Sequence, residues 1–242
     1  MKRPWKHLIL RTLLLCFMSS LGIVLLYSFM PVFVTPLMVI RSVSSLWGPQ
    51  LVGVHKTWVP LEEISPNMKR AVLKAEDYRF YEHSGFDFEA IEKAIQYNKT
   101  HKRKKGASTI SQQTAKNVFL WPNRDWVRKG FEAYFTVLIE LVWSKDRIME
   151  VYLNVIEFGP GVYGVEAASQ KYFRRSAKNL NPSQAAMMAA VLPNPYRLRI
   201  DRPSSYVLGR QRRILYRASP AVPKVEEASL WDSLKFDSSD EE

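Results

Sequence analysis

From Thr12 to Ile40 the chain runs for 29 residues without Asp, Glu, Lys or Arg, and Leu, Val, Phe and Met dominate the stretch. About 20 consecutive apolar residues cross a bilayer core as a helix, so this run predicts a transmembrane helix. Pro31 ends or kinks it, because the proline ring clashes with the preceding turn; Leu8 to Met30 is then a sufficient span. A cleaved signal peptide has a shorter apolar region, roughly 7–15 residues, closed by a small-x-small site. Tyr27-Ser28-Phe29-Met30-Pro31 offers no such site, and an uncleaved anchor is the better reading.

Beyond the anchor the pattern becomes helical almost without pause. Residues 41–60 hold Gly48-Pro49 and Val59-Pro60 with little periodicity, and read as a linker with at most one short strand. Ser65-Pro66 is an N-cap followed by proline at the first helical position, and Met68, Ala71, Val72 and Ala75 then share one helical face. Asp87 caps a helix carrying Phe88, Ile91 and Ile95. Ser108 caps another to about Val118, Asp125 one from Trp126 to Trp143, and Ser144 one from Lys145 to about Ile156. Gly159-Pro160-Gly161 is a break, after which Val165–Phe173 is helical. Asn181-Pro182-Ser183-Gln184 is a capping-box signature whose helix stops before Pro193, and a last basic helix covers about Ser204 to Arg217. Residues 218–242 are rich in Ser, Asp and Glu and read as disordered. The fold class is therefore mainly α, divided into a tail at 1–11, an apolar segment and exit at 12–40, a linker at 41–60, a folded domain at 61–217 and an acidic tail at 218–242.

Charge sharpens this picture. Lys2, Arg3, Lys6 and Arg11 precede the apolar run, and such residues stay on the cytoplasmic side, so the rest of the chain is expected outside the cytoplasm. Residues 36–223 carry 29 Lys and Arg against 16 Asp and Glu, whereas residues 224–242 carry 2 against 7. A basic exported domain beside a membrane suits anionic partners such as lipid headgroups or pyrophosphates; nucleic acid does not fit that compartment. The single cysteine, Cys16, lies in the apolar run, which excludes disulfides and thiolate chemistry from the exported part. His7, His55, His83 and His101 have no zinc-type spacing.

Three places carry candidate chemistry. Glu76-Asp77 ends a helix just before Tyr78-Arg79-Phe80-Tyr81-Glu82-His83. A carboxylate among aromatic residues suits a general base, although a solvated acid pair near Arg79 gives the same letters. Gly106-Ala107-Ser108-Thr109 opens a helix behind Lys102-Arg103-Lys104-Lys105, where free backbone N–H groups suit an anion, but taken alone an ordinary cap behind a solvated basic run is the better reading. Arg128, Lys129 and Glu132 fall within one helical turn, either as a phosphate site with a tuned carboxylate or as a surface ion pair.

Taken in order, these blocks resemble the five motifs of the family 51 glycosyltransferases, the peptidoglycan polymerases. Ala75 to Asp87 is similar to the first, Gly106 to Asn117 to the second, Arg128 to Ala133 to the third, Ser144 to Asn154 to the fourth and Gly164 to Phe173 to the fifth. The resemblance covers about residues 60–217. Leu192-Pro193-Asn194-Pro195 matches the monofunctional branch, and no Ser-x-x-Lys occurs to suggest a penicillin-binding domain. Ala107 stands where the family usually has Gly, Ser111 where it usually has Thr, and Tyr78 where Arg or Asn is commoner.

The resemblance implies a lysozyme-like helical lobe with a smaller membrane-proximal jaw, a bacterial inner-membrane location, and a role in wall synthesis and cell shape. The implied substrates are lipid II and the lipid-linked glycan strand, with other wall-synthesis or division proteins as partners. It makes Glu76 the base and Glu132 the second catalytic carboxylate, with Lys116, Arg128 and Lys129 neutralising pyrophosphate. It places Asp77, Phe80, His83, Ser108, Thr109, Ser111, Gln112 and Gln113 against substrate, and allows Mg or Mn near Glu132. Moenomycin, a phosphoglycolipid, is the expected inhibitor. Phe119-Leu120-Trp121-Pro122 and Trp126 belong either to the jaw or to an ordinary core. A lytic glycosidase also needs two carboxylates but no pyrophosphate clamp, and a non-catalytic scaffold needs neither.

Overall fold

The computed structural model describes residues 4–47, 52–102, 104–123 and 125–218; the acidic tail, apart from residue 218, and Gly48-Pro49 lie outside them. The first helix, α1 (Pro4–Phe29), contains the one stretch among the described residues long and apolar enough to cross a membrane, His7–Phe29. Leu8, Leu10, Leu13, Leu14 and Leu15 all face outward, so α1 carries its apolar side chains on a surface rather than in a core. Its chain exit turns at Pro31 into α2 (Pro36–Ser45), which starts with Thr35 accepting from the Met38 amide at 3.3 Å and proline at the first position.

Helix α2 departs from the sequence reading, which ran the apolar exit to residue 40 and a linker from 41 to 60. The Thr35-Pro36 start signal is hidden in a run apolar on both sides, and Leu37 and Met38 find a core only in the folded molecule. One face of α2 packs on the helical lobe, which decides the conformation against weak propensity.

That lobe is built from α3 (Pro66–Glu76), α4 (Phe88–Thr100), α5 (Ile110–Phe119), α6 (Trp126–Val142), α7 (Lys145–Val155), α8 (Val165–Phe173), α9 (Pro182–Val191) and α10 (Ser205–Tyr216). α5 packs against α2, α6 and α7, and α3 lies against α9 and α10. Small residues make the close approach possible: Ala185, Ala186, Ala189 and Ala190 of α9 are all buried, beside Met68, Ala71 and Val72 of α3. The helix starts follow the sequence closely, with Ser65, Asp87, Asp125, Ser144, Asn181 and Ser204 each accepting from a first-turn amide. α5 is the exception. Thr109, not Ser108, is its cap, in a reciprocal pair with Gln112.

The Gly159-Pro160-Gly161 break is the turn of a small sheet. β2 (Glu157–Gly159) runs antiparallel to β3 (Val162–Tyr163), and β1 (His55–Lys56) lies parallel to β3 on the other side. Gly161 has φ +71°, and a Cβ there would stand 2.1 Å from the Gly53 carbonyl oxygen, so no other residue fits.

The lobe grips the outer end of α1. A helix leaves its last four carbonyls without partners, and cations are favourable there. Here Arg147 donates to one of them, the Tyr27 carbonyl, at 2.8 and 3.1 Å, and to the Met30 carbonyl just beyond the helix at 2.5 Å, while Trp143 Nε1 donates to the Val24 carbonyl one turn earlier at 2.8 Å. Lys56 Nζ donates to the carbonyls of Val32 and Phe33. The Trp58 ring lies between the two cations, 5.5 Å from Lys56 Nζ and 5.3 Å from the Arg147 guanidinium carbon.

Candidate active site

A cleft of about 400 Å³ opens between α2, α5, the start of α6 and the 192–196 turn. Its walls carry Arg41, Lys116, Arg128 and Lys129 against Glu132 and Glu157, a surplus of positive charge in a partly desolvated space. Glu132, 4 % exposed, accepts from Arg128 Nη1 at 3.1 Å and from Lys129 Nζ. Lys116 stands one helix away on α5. Burial lowers its pKa, the nearby Arg128 and Arg41 lower it further, and Glu132 and Glu76 oppose the shift. Three cations crowded around one carboxylate make a place where a bound anion relieves repulsion.

Glu76 closes the rear of this cleft. It is the last residue of α3, and its carboxylate accepts from Gln113 Nε2 at 3.0 Å and from Arg210 Nη2 at 3.0 Å. Gln113 and Tyr152 stand between it and the cleft, the Tyr152 hydroxyl donating to Gln113 Oε1 at 3.3 Å. Burial raises the Glu76 pKa, held back by Gln113, Arg210 and Lys116. A buried carboxylate with a raised pKa, one hydrogen-bond donor away from an open cleft, is the arrangement a general base requires.

The predicted site residues divide into two groups. Ser108, Gln112, Gln113, Lys116, Arg128, Lys129 and Glu132 line the cleft. Asp77, Phe80, His83, Thr109 and Ser111 do not, and neither does Glu76, which stands behind Gln113. Asp77, 6 % exposed, accepts from the Ile110 amide at 2.9 Å and from His83 Nε2 at 3.0 Å. Phe80 is fully buried, with Lys145 Nζ 4.6 Å from its ring. Thr109 donates to the Gly85 carbonyl at 2.7 Å, and Ser111 donates to Glu140, which in turn holds Lys145 at 2.8 Å. These five residues bolt the loop after α3 to the start of α5. They stand away from the cleft lining, with the Asp77 carboxylate and the Thr109 and Ser111 hydroxyls bonded to neighbouring groups, while His83 Nδ1 is buried without a partner among the described residues.

The jaw-or-core question splits by residue. Leu120 is buried and Phe119 packs against the core, stacked on Phe135 at 4.4 Å, whereas Trp121 and Pro122 line the cleft and Trp126 is 91 % exposed.

Sequence reasoning missed Arg41, Tyr152, Glu157, Tyr196 and Arg210. Arg41 pairs with Glu157 and lies 5.1 Å from the centre of the Tyr196 ring. Arg210 comes from the basic last helix, where nothing local distinguishes it from Arg212 or Arg213. Among the described residues no cluster of three or more His, Cys, Asp or Glu could hold a metal ion, and both Glu132 oxygens already face cations. The cations around Glu132 suit a bound anion.

A helical lobe with a cationic cleft and a buried carboxylate behind it defines an enzyme for anion-bearing substrates, here carried behind a helix long enough to cross a membrane. The transglycosylase family model matches residues 46–219, and the chain belongs to that family. It is 73 % identical over 247 residues to a biosynthetic peptidoglycan transglycosylase of Bdellovibrio bacteriovorus, covering 100 % of this chain and 99 % of that one. Proteins of the same description from Bacteroides thetaiotaomicron and Caulobacter vibrioides are 54 % and 49 % identical, covering 90 % and 88 % of this chain and 89 % and 90 % of their own.

Proposed function

We propose that the protein is a peptidoglycan glycosyltransferase that polymerises lipid II in the outer leaflet of the bacterial cytoplasmic membrane. α1 anchors it there, with the amino end inside the cell and the lobe outside. The growing glycan, still on its lipid pyrophosphate, is the donor. Glu76 takes the proton from the acceptor's 4-hydroxyl, whose oxygen attacks the donor C1 with inversion to form a β-1,4 link. The acceptor hydroxyl displaces the Gln113 amide from Glu76 as it arrives.

Pyrophosphate leaves from C1 carrying the bonding electron pair, so its developing charge needs neutralisation more than a proton. Lys116, Arg128 and Lys129 supply that charge, and Glu132 holds the last two in place. The single observation that carries the reading is the pairing of this three-cation anion site with a buried carboxylate directly behind Gln113 in its wall. A hydrolase acting on neutral glycan has no use for the cations.

The test is incubation of the full-length protein with purified lipid II and electrophoresis of the glycan formed. Wild type yields polymer, and moenomycin blocks it. Glu76→Gln lowers the rate by about 10²–10⁴-fold, the worth of general-base catalysis, while moenomycin still binds. Near-normal polymerisation by Glu76→Gln overturns the assignment of the base.

A further inference from the structure

We infer that Arg41 of α2 binds the pyrophosphate of the acceptor lipid, which makes the first helix beyond α1 part of the substrate site. This rests on the polymerase reading and extends it to the second lipid in the reaction. Arg41 precedes the span matched by the family model, residues 46–219, and lies outside all five motif blocks.

The reaction brings two lipid pyrophosphates to one cleft. Lys116, Arg128 and Lys129 serve the donor, and Glu132 offsets one of their three charges. The remainder balances the two negative charges of one pyrophosphate diester. The second pyrophosphate needs a further cation, and among the described residues of the cleft wall the remaining Lys or Arg is Arg41. The order of charges fits this division. The donor's pyrophosphate is on the reacting C1 and lies close to the base, whereas the acceptor's is a disaccharide away from the hydroxyl that Glu76 deprotonates. The cations that act on Glu76 are Arg210 and Lys116, and Arg41 is among those that act on Lys116. Arg41 is thus one cation further from the base.

The side chain is held ready. Arg41 lines the cleft with Leu37, one helical turn before it. Its Nη1 pairs with Glu157, it donates to the buried Tyr163 hydroxyl, and its guanidinium carbon lies 5.1 Å from the centre of the Tyr196 ring. A guanidinium has five N–H donors in a planar fork, so one fixed on these partners still offers donors to a phosphate. The side chain is 30 % exposed, which leaves that edge within reach. Glu157 also accepts from the Gly161 amide at 3.3 Å, and so keeps a partner when the guanidinium turns to an anion. The level in the membrane fits too. A lipid pyrophosphate stays among the headgroups. α2 follows the exit of α1, and Val39, Val43, Leu46 and Trp47 are exposed along it and just beyond, as suits the bilayer interface.

The test separates the two substrates. The donor is a lipid-linked tetrasaccharide whose terminal 4-hydroxyl is capped with galactose, so that it donates but cannot accept; the acceptor is lipid II. Full-length protein in detergent micelles couples them, and KM for each is taken from the initial rate of galactose-labelled product with the other in excess. Arg41→Met raises the acceptor KM about tenfold, the worth of one charge-assisted hydrogen bond, and leaves the donor KM unchanged. Arg128→Met shows the reverse pattern. Arg41→Lys, which keeps the charge but loses the fork, raises the acceptor KM by less. Glu157→Gln breaks the same ion pair but frees the guanidinium, so the acceptor KM falls. Equal rises in Arg41→Met and Glu157→Gln show that Arg41 only fastens α2 and overturn the inference, as does a donor KM that rises with the acceptor's. Thermal melting checks that each variant is folded; if Arg41→Met is not, an unchanged acceptor KM in Arg41→Lys overturns the inference. A wild type that does not couple the two substrates overturns the polymerase reading itself.

Discussion

Glu76 and Asp77 are adjacent carboxylates with opposite fates. Both close α3, but Asp77 points to the amide of Ile110 and the ring of His83, and Glu76 to Gln113 and Arg210. Only the second environment can be opened by a substrate. A base works when ionised, and burial raises the Glu76 pKa above the ordinary 4.5, so activity falls as pH drops through a value above that of a free glutamate. Arg210 favours the carboxylate. Arg210→Met therefore moves the acid limb of kcat/KM to higher pH, and an unmoved limb shows that Arg210 does not tune the base. Asp77→Ala leaves a buried amide without its acceptor, a loss of about 1–3 kcal/mol. It should lower the melting temperature by several degrees without shifting that limb. The adjacency of the two carboxylates was legible in the sequence; their roles were not, because Ile110, Gln113 and Arg210, which tell them apart, lie more than 30 residues away.

At the scale of elements, the grip on α1 is the contact the helix pattern did not suggest. Arg147 lies in a block read as part of a catalytic motif, yet it donates to the carbonyls of Tyr27 and Met30 and pairs with Glu150 at 2.9 Å. Its work is to finish a helix that would otherwise end with bare acceptors. Arg147→Met removes those donors and should loosen the anchor from the lobe. Spin labels on Cys16 and on a cysteine introduced at exposed Lys93 report it: the distance distribution broadens in Arg147→Met and much less in Arg147→Lys, which keeps charge at the helix end. The caps of α3, α4, α6, α7, α9 and α10 were readable because an N-cap is a local bond between a side chain and an amide two or three residues on. α2 was not, because its apolar face is recognisable only against the α5 it packs on.

For the whole molecule, the distribution of charge carries the topology. Cations precede the apolar run, and the basic lobe with its cationic cleft follows it. A reporter enzyme fused after Glu242 should be active outside the cytoplasm, where lipid-linked wall precursors are polymerised. Activity inside would overturn both the orientation and the proposed substrate.

The local patterns of the chain were enough for the long apolar helix, the mainly helical class, the order of the helices and two separate blocks, one with Glu76 and one with Arg128, Lys129 and Glu132, since each depends on residues within a few positions of one another. Tertiary structure alone decided which polar side chains face the cleft. Asp77, Phe80, His83, Thr109 and Ser111 share their blocks with residues that do. What separates them is a set of hydrogen bonds and packing contacts closed mostly over 24 to 65 residues of intervening chain, as with Lys145 beneath the loop that carries His83. Arg210 and Arg41 reach the site from opposite ends of the described chain, and a distance in space of that kind leaves no trace in spacing along it.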